Sequence, residues 1–221
     1  MNIPKIIHQI WIGPNKKPDI WMNTWSVDYI NKYKNYEYVL WNDENSKNIL
    51  NKYPKIKEMF NSEKEYCGKA DMLRYLILYE YGGIYIDADS VWVNDKDLTE
   101  LINKTNKGDI FCGIEPGSNW ITNGVIGCTK NNEIMKLVIN KLNGFHLFYT
   151  KLRRRIGISR ITGPLFFKFI QDKVTVLPSN YLYPIHWGGI NDVDLHKKMI
   201  ISNESYMFQY GYTTNNLESK I

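Results

Sequence analysis

The densest run of apolar residues lies between positions 70 and 81, and its spacing is helical. At about 100° per residue, Asp71 and Arg74 share a narrow polar arc one turn apart, whereas the large apolar side chains share one broad arc. The apolar arc is formed by Met72, Leu73, Leu76 and Ile77. We therefore predict a helix that packs on one face and presents an acid and a base on another.

Two glycines follow this predicted helix. Gly82 and Gly83 can adopt the positive φ angles that end helices, and residues 84–86 then predict a buried strand. Because side chains alternate between the two faces of a strand, Asp87 and Asp89 are expected to point the same way, with backbones roughly 6 to 7 Å apart. The pattern predicts that a helix face and a strand end converge at these carboxylates.

The remaining apolar segments predict an alternation of strands and helices. Strands are expected at residues 6–11, 36–41, 110–114 and 174–177, and helices at residues 21–33, 46–60 with a break at Pro54, and 132–141. This order is typical of an α/β fold. With 221 residues, 43% apolar content and no Pro-, Gly- or Ser-rich linker, residues 1–221 are expected to form a single domain.

Two carboxylates at a strand end suit a hard divalent cation such as Mn²⁺ or Mg²⁺. Such a cation prefers oxygen ligands and keeps positions open for the phosphate oxygens of a substrate. The spacing of Asp87 and Asp89 alone also fits a strand that runs into an acidic turn. The presence of Asp71, Arg74 and Tyr85 in the same stretch favours the metal site.

This pattern, Asp-x-x-Arg followed by Gly-Gly-x-Tyr-x-Asp-x-Asp, resembles the sugar-binding region with a DxD motif of glycosyltransferase family 32. That family includes fungal α-1,6-mannosyltransferases and sphingolipid mannosyltransferases, and the pattern is also similar to the core of the clostridial glucosylating toxins. Residues 3–13 resemble the family's first strand, and residues 40–43 the end of its second. The resemblance implies a GT-A type fold, a nucleotide-binding α/β domain with a mostly parallel central sheet flanked by helices.

The resemblance also implies a role for individual residues. Asp89 would bind the metal directly, Asp87 would contact the ribose and the metal shell, and Asp71 with Arg74 would hold the donor sugar and its phosphate. The nucleotide and its sugar would further be contacted by Trp11, Ile12, Gly13, Asn45, Tyr85 and Asn123. Two of these assignments have plain structural alternatives. Trp11 could be a core residue, and Asp71 with Arg74 could be an exposed ion pair contributing less than ~1 kcal/mol.

The chemistry of these residue types fits transfer of a sugar from a UDP- or GDP-linked donor. A cation and Arg74 would offset the charge that develops on a leaving diphosphate. The resemblance implies retention of the anomeric configuration, and front-face attack is the default because no carboxylate can be named as a nucleophile. The acceptor hydroxyl would lie on a glycan, a glycolipid or, for a toxin-like effector, a protein.

Two further alternatives remain open at this point. The stretch 84–91 also fits the start of a haloacid-dehalogenase-like phosphatase, in which the first Asp attacks phosphorus. That family usually places this strand at the start of its domain, whereas here it follows 86 residues, and no Gly-Asp block comes later. A non-catalytic relative that only binds sugar nucleotides is the other alternative.

The C-terminal part of the sequence differs from glycosyltransferase family 32. Members of that family commonly end in a histidine-containing block and a Ser-Trp pair near the metal. Here residues 205–212 contain neither, and Gln209 is a poorer ligand than histidine or carboxylate. The third protein ligand of the metal is therefore unassigned, with His186, Asp192 and Gln209 as unequal candidates. For all four histidines, an ordinary structural or surface role is the favoured interpretation.

Charge and cysteine content narrow the remaining possibilities. The net charge is a modest +5, and residues 151–155 form a basic cluster that we interpret as a solvated loop. The sharper alternative is docking of an anionic acceptor, a lipid surface or a diphosphate, while nucleic acid is a poor fit. Three scattered cysteines support neither a zinc site nor a disulfide framework. No signal peptide or membrane anchor is recognised at the N-terminus, so a cytoplasmic location is expected.

Overall fold

The computed structural model describes residues 2–186 and 188–221, and the strands of this part of the chain form two sheets. The larger sheet has the strand order β2-β1-β3-β6-β5-β7. Its strands are β1 (Ile6–Ile10), β2 (Glu37–Trp41), β3 (Gly83–Ile86), β5 (Ile110–Ile114), β6 (Ile121–Cys128) and β7 (Thr175–Leu177). The smaller sheet pairs β4 (Ser90–Trp92) with β8 (Met207–Gln209).

The larger sheet is mostly parallel, as predicted. β1 runs parallel to β2 and β3, and β5 runs parallel to β7, whereas β6 is antiparallel to both of its neighbours. In the register of β3 with β6, Ile86 lies opposite Val125. The segment that follows β3 therefore lies beside the middle of β6.

Helices cover the sheet. They are α1 (Asp19–Asn23), α2 (Ile30–Lys32), α3 (Ser46–Asn51), α4 (Pro54–Ser62), α5 (Tyr66–Tyr81), α6 (Thr99–Lys104), α7 (Glu133–Asn143), α8 (Tyr149–Ile156), α9 (Pro164–Phe167), α10 (Ser179–Leu182) and α11 (Leu195–Lys198). Among the described residues, no helix has the length and apolar character to cross a membrane.

The predicted first helix is present, but its middle is wider than an α-helix. Between α1 and α2, residues Thr24–Tyr29 form a π-helical stretch. The hydroxyl of Thr24 donates to the carbonyl of Trp21, so a side chain takes an acceptor that the backbone ladder would use. The predicted break at Pro54 is in fact the start of α4, because proline is well suited to the first position of a helix.

The middle of α5, the helix predicted from the apolar spacing, is buried on every side rather than on one face. All side chains from Asp71 to Leu78 are buried, because the helix packs between β3 and β6 on one side and α3, α4 and α7 on the other. The reading of Asp71 and Arg74 as an exposed ion pair is therefore wrong. Both side chains lie in the interior.

The basic cluster at residues 151–155 lies in a helix, α8, and not in a loop as predicted. Tyr149, Leu152 and Ile156 recur at intervals of three and four residues and pack against the core, so the apolar residues within the cluster define a helical face. Most residues in this short stretch are basic, so the helical spacing of its few apolar residues was not recognised in the sequence.

Candidate functional site

The two aspartates after β3 lie in a tight turn, which corrects the extended strand end that the sequence predicted. β3 ends at Ile86, and the N–H of Ser90 donates to the carbonyl of Asp87 at 3.1 Å. The N–H of Asp87 donates to the carbonyl of Gly124 on β6 at 2.9 Å, which ends the regular ladder at this point. The two carboxylates lie at the carboxyl end of β3 because the chain turns there, and not because side chains alternate along a strand.

The backbone of this turn is fixed by three elements that are distant in sequence. The side chain of Gln9 on β1 donates to the carbonyl of Asp87 at 3.1 Å. The indole of Trp25 in the π-helical stretch donates to the carbonyl of Ser90, and the N–H of Tyr210 donates to the carbonyl of Asp89, each at 3.0 Å. The positions of the carboxylates are thus set by the surrounding fold and not by the turn alone.

A buried cation lies behind the turn. The guanidinium of Arg74 contacts Oδ1 of Asp71 at 3.3 Å and Oδ1 of Asp87 at 3.2 Å, so one charge is shared by two carboxylates. Its Nη1 donates to the carbonyl of Asn123, and its central carbon lies 4.4 Å from the ring centroid of Tyr85. The hydroxyl of Tyr85 in turn donates to Oδ1 of Asp87 at 2.7 Å. The structure thus brings together four of the predicted site residues around Arg74.

Asp71 lies within a hydrogen-bond network that the sequence did not predict in full. The amide of Asn123 donates to Oδ1 of Asp71 at 2.7 Å, and the hydroxyl of Thr162 donates to Oδ2 at 2.9 Å. The same amide donates to the hydroxyl of Tyr75 at 2.9 Å, which donates to the carbonyl of Thr162 at 2.5 Å. These hydrogen bonds offset the free-energy cost of burying the Asp71 carboxylate, as a buried charged group requires.

The second aspartate of the turn is held from the C-terminal part of the chain. The N–H of Tyr212 donates to Oδ2 of Asp89 at 2.7 Å. The ring of Tyr212 meets the ring of Trp11 edge to face, with centroids 5.6 Å apart. The side chain of Trp11 is partly exposed, and its indole N–H donates to the carbonyl of Asn15. The structure therefore places the predicted base-stacking residue next to the residue that binds Asp89.

The other residues predicted at the nucleotide lie in the loops after β1 and β2. The N–H of Gly13 donates to the carboxylate of Asp43 at 2.9 Å, and Gly13 has a φ of 91°, which favours glycine. Ile12 is buried against the core. The side chain of Asn45 accepts from the N–H of Asn42 and donates to the carbonyl of Leu40, so its amide is used to shape the turn.

The electrostatics of the site leave an excess of negative charge. Burial raises the pKa of Asp71 to about 6, although Arg74 opposes this shift. Burial, together with the neighbouring Asp87, also raises the pKa of Asp89 to about 6. Burial alone would lower the pKa of Arg74, but Asp87, Tyr85 and Asp71 hold it above its ordinary value. One permanent cation therefore faces three acidic groups, which favours binding of a further positive charge.

The carboxylates of the turn fit a hard cation as two of its ligands. Arg74 and Tyr85 contact Oδ1 of Asp87, and Tyr212 contacts Oδ2 of Asp89. Oδ2 of Asp87 and Oδ1 of Asp89 thus remain the candidate ligand oxygens among the described residues. A divalent cation that binds phosphate commonly uses only one or two carboxylates and completes its shell with phosphate and water.

The structure does not supply a third ligand from the candidates at the C-terminal end. Within residues 2–186 and 188–221, no three His, Cys, Asp or Glu side chains are grouped to hold a metal ion, so neither His186 nor Asp192 completes the pair. Asp192 is instead ion-paired with Lys198 at 2.7 Å. Gln209 lies opposite Ser90 in the small sheet, with its amide nitrogen buried.

The role of Gly124 was not predicted from the sequence. Because glycine has no side chain, this residue leaves room for the turn that carries Asp87. A Cβ at Gly124 would lie 2.7 Å from Oδ2 of Asp87 and 3.2 Å from the hydroxyl of Tyr183. The glycine is buried in β6. A close approach that only glycine allows could have been suspected from its position in an apolar strand.

Replacing Gly124 with alanine is expected to lower the free energy of unfolding by about 1–3 kcal/mol, because the methyl group forces Asp87 out of its position. Urea unfolding followed by circular dichroism measures the change. Gly144→Ala is the matched control, since Gly144 has a helical φ of −64° and alanine there is expected to be neutral or stabilising. Equal stabilities of the two variants would contradict the close approach.

Comparison with known proteins gives matches of sequence and of fold. Residues 18–107 match the family described as "Glycosyltransferase sugar-binding region containing DXD motif". The chain is 34% identical over 177 residues to inositol phosphoceramide mannosyltransferase 3 of Schizosaccharomyces pombe, covering 80% of this chain and 47% of that protein. It is 41% identical over 174 residues to a mannosyl phosphorylinositol ceramide synthase of Saccharomyces cerevisiae, covering 76% and 42%. The chain thus spans about half the length of these curated relatives.

Two solved structures are similar in fold. The PaToxG glycosyltransferase aligns with a TM-score of 0.56 and 22% identity, covering 77% of this chain and 70% of that one. A glycosyltransferase involved in the glycosylation of the major capsid of PBCV-1 aligns with a TM-score of 0.54 and 15% identity, covering 98% of both chains. These neighbours have the GT-A type of fold, which confirms the predicted fold class.

Proposed function

Because the chain belongs to the glycosyltransferase family defined by a sugar-binding region with a DXD motif, we propose that it transfers a sugar from a nucleoside diphosphate donor to an acceptor hydroxyl. The observation that carries this proposal is the sharing of buried Arg74 between Asp71 and Asp87, directly behind the turn that holds Asp89. Burying the charges of Asp71 and Arg74 is costly, so their place beside the partly exposed Asp87 favours a role in the site.

Asp87 and Asp89 hold Mn²⁺ or Mg²⁺ through their carboxylate oxygens in this proposal. When bound, the cation supplies positive charge that offsets the charge developing on the departing diphosphate. The excess of negative charge around Arg74 favours such a cation over a bare diphosphate. A diphosphate alone would be repelled by the carboxylates.

Arg74 acts on Asp87 more than on the phosphate. Its Nη1 and Nη2 groups contact Asn123, Asp71 and Asp87, and its side chain is almost fully buried. A two-point contact with phosphate would require these bonds to break. We therefore assign Arg74 and Asp71 as positioning residues, in place of the direct contacts with sugar and phosphate implied by family resemblance.

The reaction breaks the bond between the anomeric carbon and the diphosphate oxygen and forms a bond from that carbon to the acceptor oxygen. The acceptor proton passes to the departing diphosphate, so no basic side chain is consumed. Attack from the same face gives retention of configuration. The relatives are named for mannosyl transfer to inositol phosphoceramide, which favours a mannose donor and a glycolipid or glycan acceptor for this chain.

Residues 1–221 act as one catalytic domain in this proposal, because distant parts of the chain meet at the turn. Gln9 of β1, Gly124 of β6 and Tyr210 after β8 all contact its backbone. Trp11 is proposed to stack on the base, since its ring lies beside Tyr212, which binds Asp89.

A donor panel tests the proposal. GDP-mannose, UDP-glucose, UDP-galactose and UDP-N-acetylglucosamine are incubated with the protein, and nucleotide release is measured with Mn²⁺, with Mg²⁺ and with EDTA. We expect release from one donor class with metal and none with EDTA. Release of phosphate from p-nitrophenyl phosphate, with no turnover of any sugar nucleotide, would contradict the proposal and favour a phosphatase.

A further inference from the structure

The charges of this chain are unevenly distributed. Residues 134–171 contain eight lysines and arginines and no aspartate or glutamate. The whole chain carries a net charge of +5, so the rest of the chain is net negative. A charge block of this kind is an electrostatic footprint for an anionic partner.

The outer face of one helical segment combines this charge with exposed apolar side chains. Leu147 is 82% exposed and Phe148 is 64% exposed, in the turn that leads into α8. Lys151, Arg154 and Arg155 are exposed on α8 and follow the two apolar residues at intervals of three and four. The exposure of all five side chains places them on the solvent side of this segment, whereas Tyr149, Leu152 and Ile156 pack on the core.

A second group of side chains also combines cations with exposed aromatic rings. Lys168 is exposed and lies 4.6 Å from the ring centroid of Trp120, which is itself exposed. The Nζ of Lys141 lies 3.8 Å from the ring centroid of the exposed Phe169. Cations beside exposed aromatic rings are the side chains that proteins place at the boundary between water and lipid.

Few acidic side chains oppose this charge. Glu58 pairs with His146, and Glu63 and Glu65 pair with Arg153, which faces inward toward α4. Among the described residues, Lys151, Arg154 and Arg155 form no ion pair with these or other acids. Their charge is thus available to a partner.

We propose that this face, defined by Leu147, Phe148, Lys151, Arg154 and Arg155 and called the basic apolar face, docks on an anionic lipid bilayer. Leu147 and Phe148 insert at the level of the headgroups, while the cations contact lipid phosphates. Neither contribution is strong alone, but an apolar anchor together with a basic patch gives stable attachment. Charge complementarity with an anionic surface selects the occupant.

The segment that follows the face in sequence reaches the candidate site. Ile158, two residues after α8, packs so closely on Gly68 of α5 that a Cβ there would lie 2.4 Å away. Thr162 follows and donates to Asp71, and Trp120 precedes Asn123 by three residues. Docking would thus bring the bilayer close to the site, although attachment itself does not depend on the proposed reaction.

Vesicle sedimentation tests the proposal without any donor. The full chain is mixed with phosphatidylcholine vesicles that contain either no anionic lipid or about 30% phosphatidylserine, at low and at high salt. We expect binding only to the anionic vesicles and a marked loss at high salt, because salt screens exposed charges. Arg154→Glu/Arg155→Glu and Leu147→Ser/Phe148→Ser are each expected to weaken binding by about tenfold or more.

Matched controls separate docking from general charge or stickiness. Lys34→Glu/Lys107→Glu reverses two exposed charges elsewhere, and Ile200→Ser removes a fully exposed apolar residue, and both should bind like the parent chain. Equal binding to neutral vesicles, or loss in the controls, would overturn the proposal. Two further results would overturn the proposal. One is the absence of vesicle binding together with self-association that Leu147→Ser/Phe148→Ser abolishes. The other is the absence of vesicle binding together with RNA binding that this variant leaves unchanged.

Discussion

Replacing Asp89 with asparagine is expected to reduce metal-dependent sugar transfer by at least about a thousandfold while leaving the fold intact. In the proposed site this carboxylate supplies a charged ligand oxygen to the cation, and losing one preorganised charge at a reacting group costs on the order of 4 kcal/mol. The asparagine oxygen can still accept the N–H of Tyr212, so the contact with the C-terminal segment survives. Nucleotide release with Mn²⁺ measures the loss, and thermal unfolding followed by circular dichroism checks the fold.

Asp87→Ala is expected to give a similar loss of activity, since both aspartates are proposed to hold the same cation. Asp95→Asn serves as the control, because Asp95 is an exposed acid whose side chain pairs with Lys32 at the surface. Near-normal activity of both Asp87→Ala and Asp89→Asn would contradict the proposed function. Loss of activity together with collapse of the unfolding transition would instead show a structural role.

Removing the positive charge of the buried Arg74 should have the largest effect on the free energy of unfolding. Arg74→Met is expected to lower the free energy of unfolding by about 3–5 kcal/mol, because Asp71 and Asp87 lose the charge they share and the carbonyl of Asn123 loses its donor. Urea unfolding measures the change. Adding Asp71→Asn to Arg74→Met should restore part of the loss, since the double variant buries one fewer uncompensated charge.

The pH dependence of the Arg74→Met variant has a defined sign. Burial already raises the pKa of Asp71 to about 6, and removal of Arg74 raises this pKa further. A carboxyl whose pKa is higher in the folded than in the unfolded state loses stability as pH rises from about 4, the unfolded value, through the folded value. The variant should therefore be more stable at pH 5 than at pH 8. The opposite trend would mean that Asp71 is not the group left uncompensated.

Local sequence patterns predicted the elements that carry the site but not its packing. The apolar period of α5 gave the helix, and paired glycines gave its end, with φ angles of 67° and 95° at Gly82 and Gly83. Burial of Asp71 and Arg74 escaped prediction, because it depends on the helices that cover the polar arc. Nothing in the spacing of α5 records the positions of those neighbours.

The geometry of the aspartate turn escaped prediction for a related reason. Alternation along a strand applies only while the ladder continues, and the ladder ends where Asp87 pairs with Gly124. The contacts of Thr162 with Asp71 and of Tyr212 with Asp89 join residues 91 and 123 positions apart. Such pairings are set by the topology of the fold, so a single sequence contains no local signal for them.

The contact of Tyr212 with Asp89 also has a consequence for synthesis of the chain on the ribosome. At about 5–20 residues per second, roughly 6 to 25 s separate translation of Asp89 from translation of its partner. A nascent chain can fold α5 and β3 during that interval, but its aspartate turn lacks the contacts supplied by Tyr210 and Tyr212. The proposed transfer would then begin only after the segment with Tyr210 and Tyr212 leaves the exit tunnel, so a nascent chain without that segment would not consume the donor.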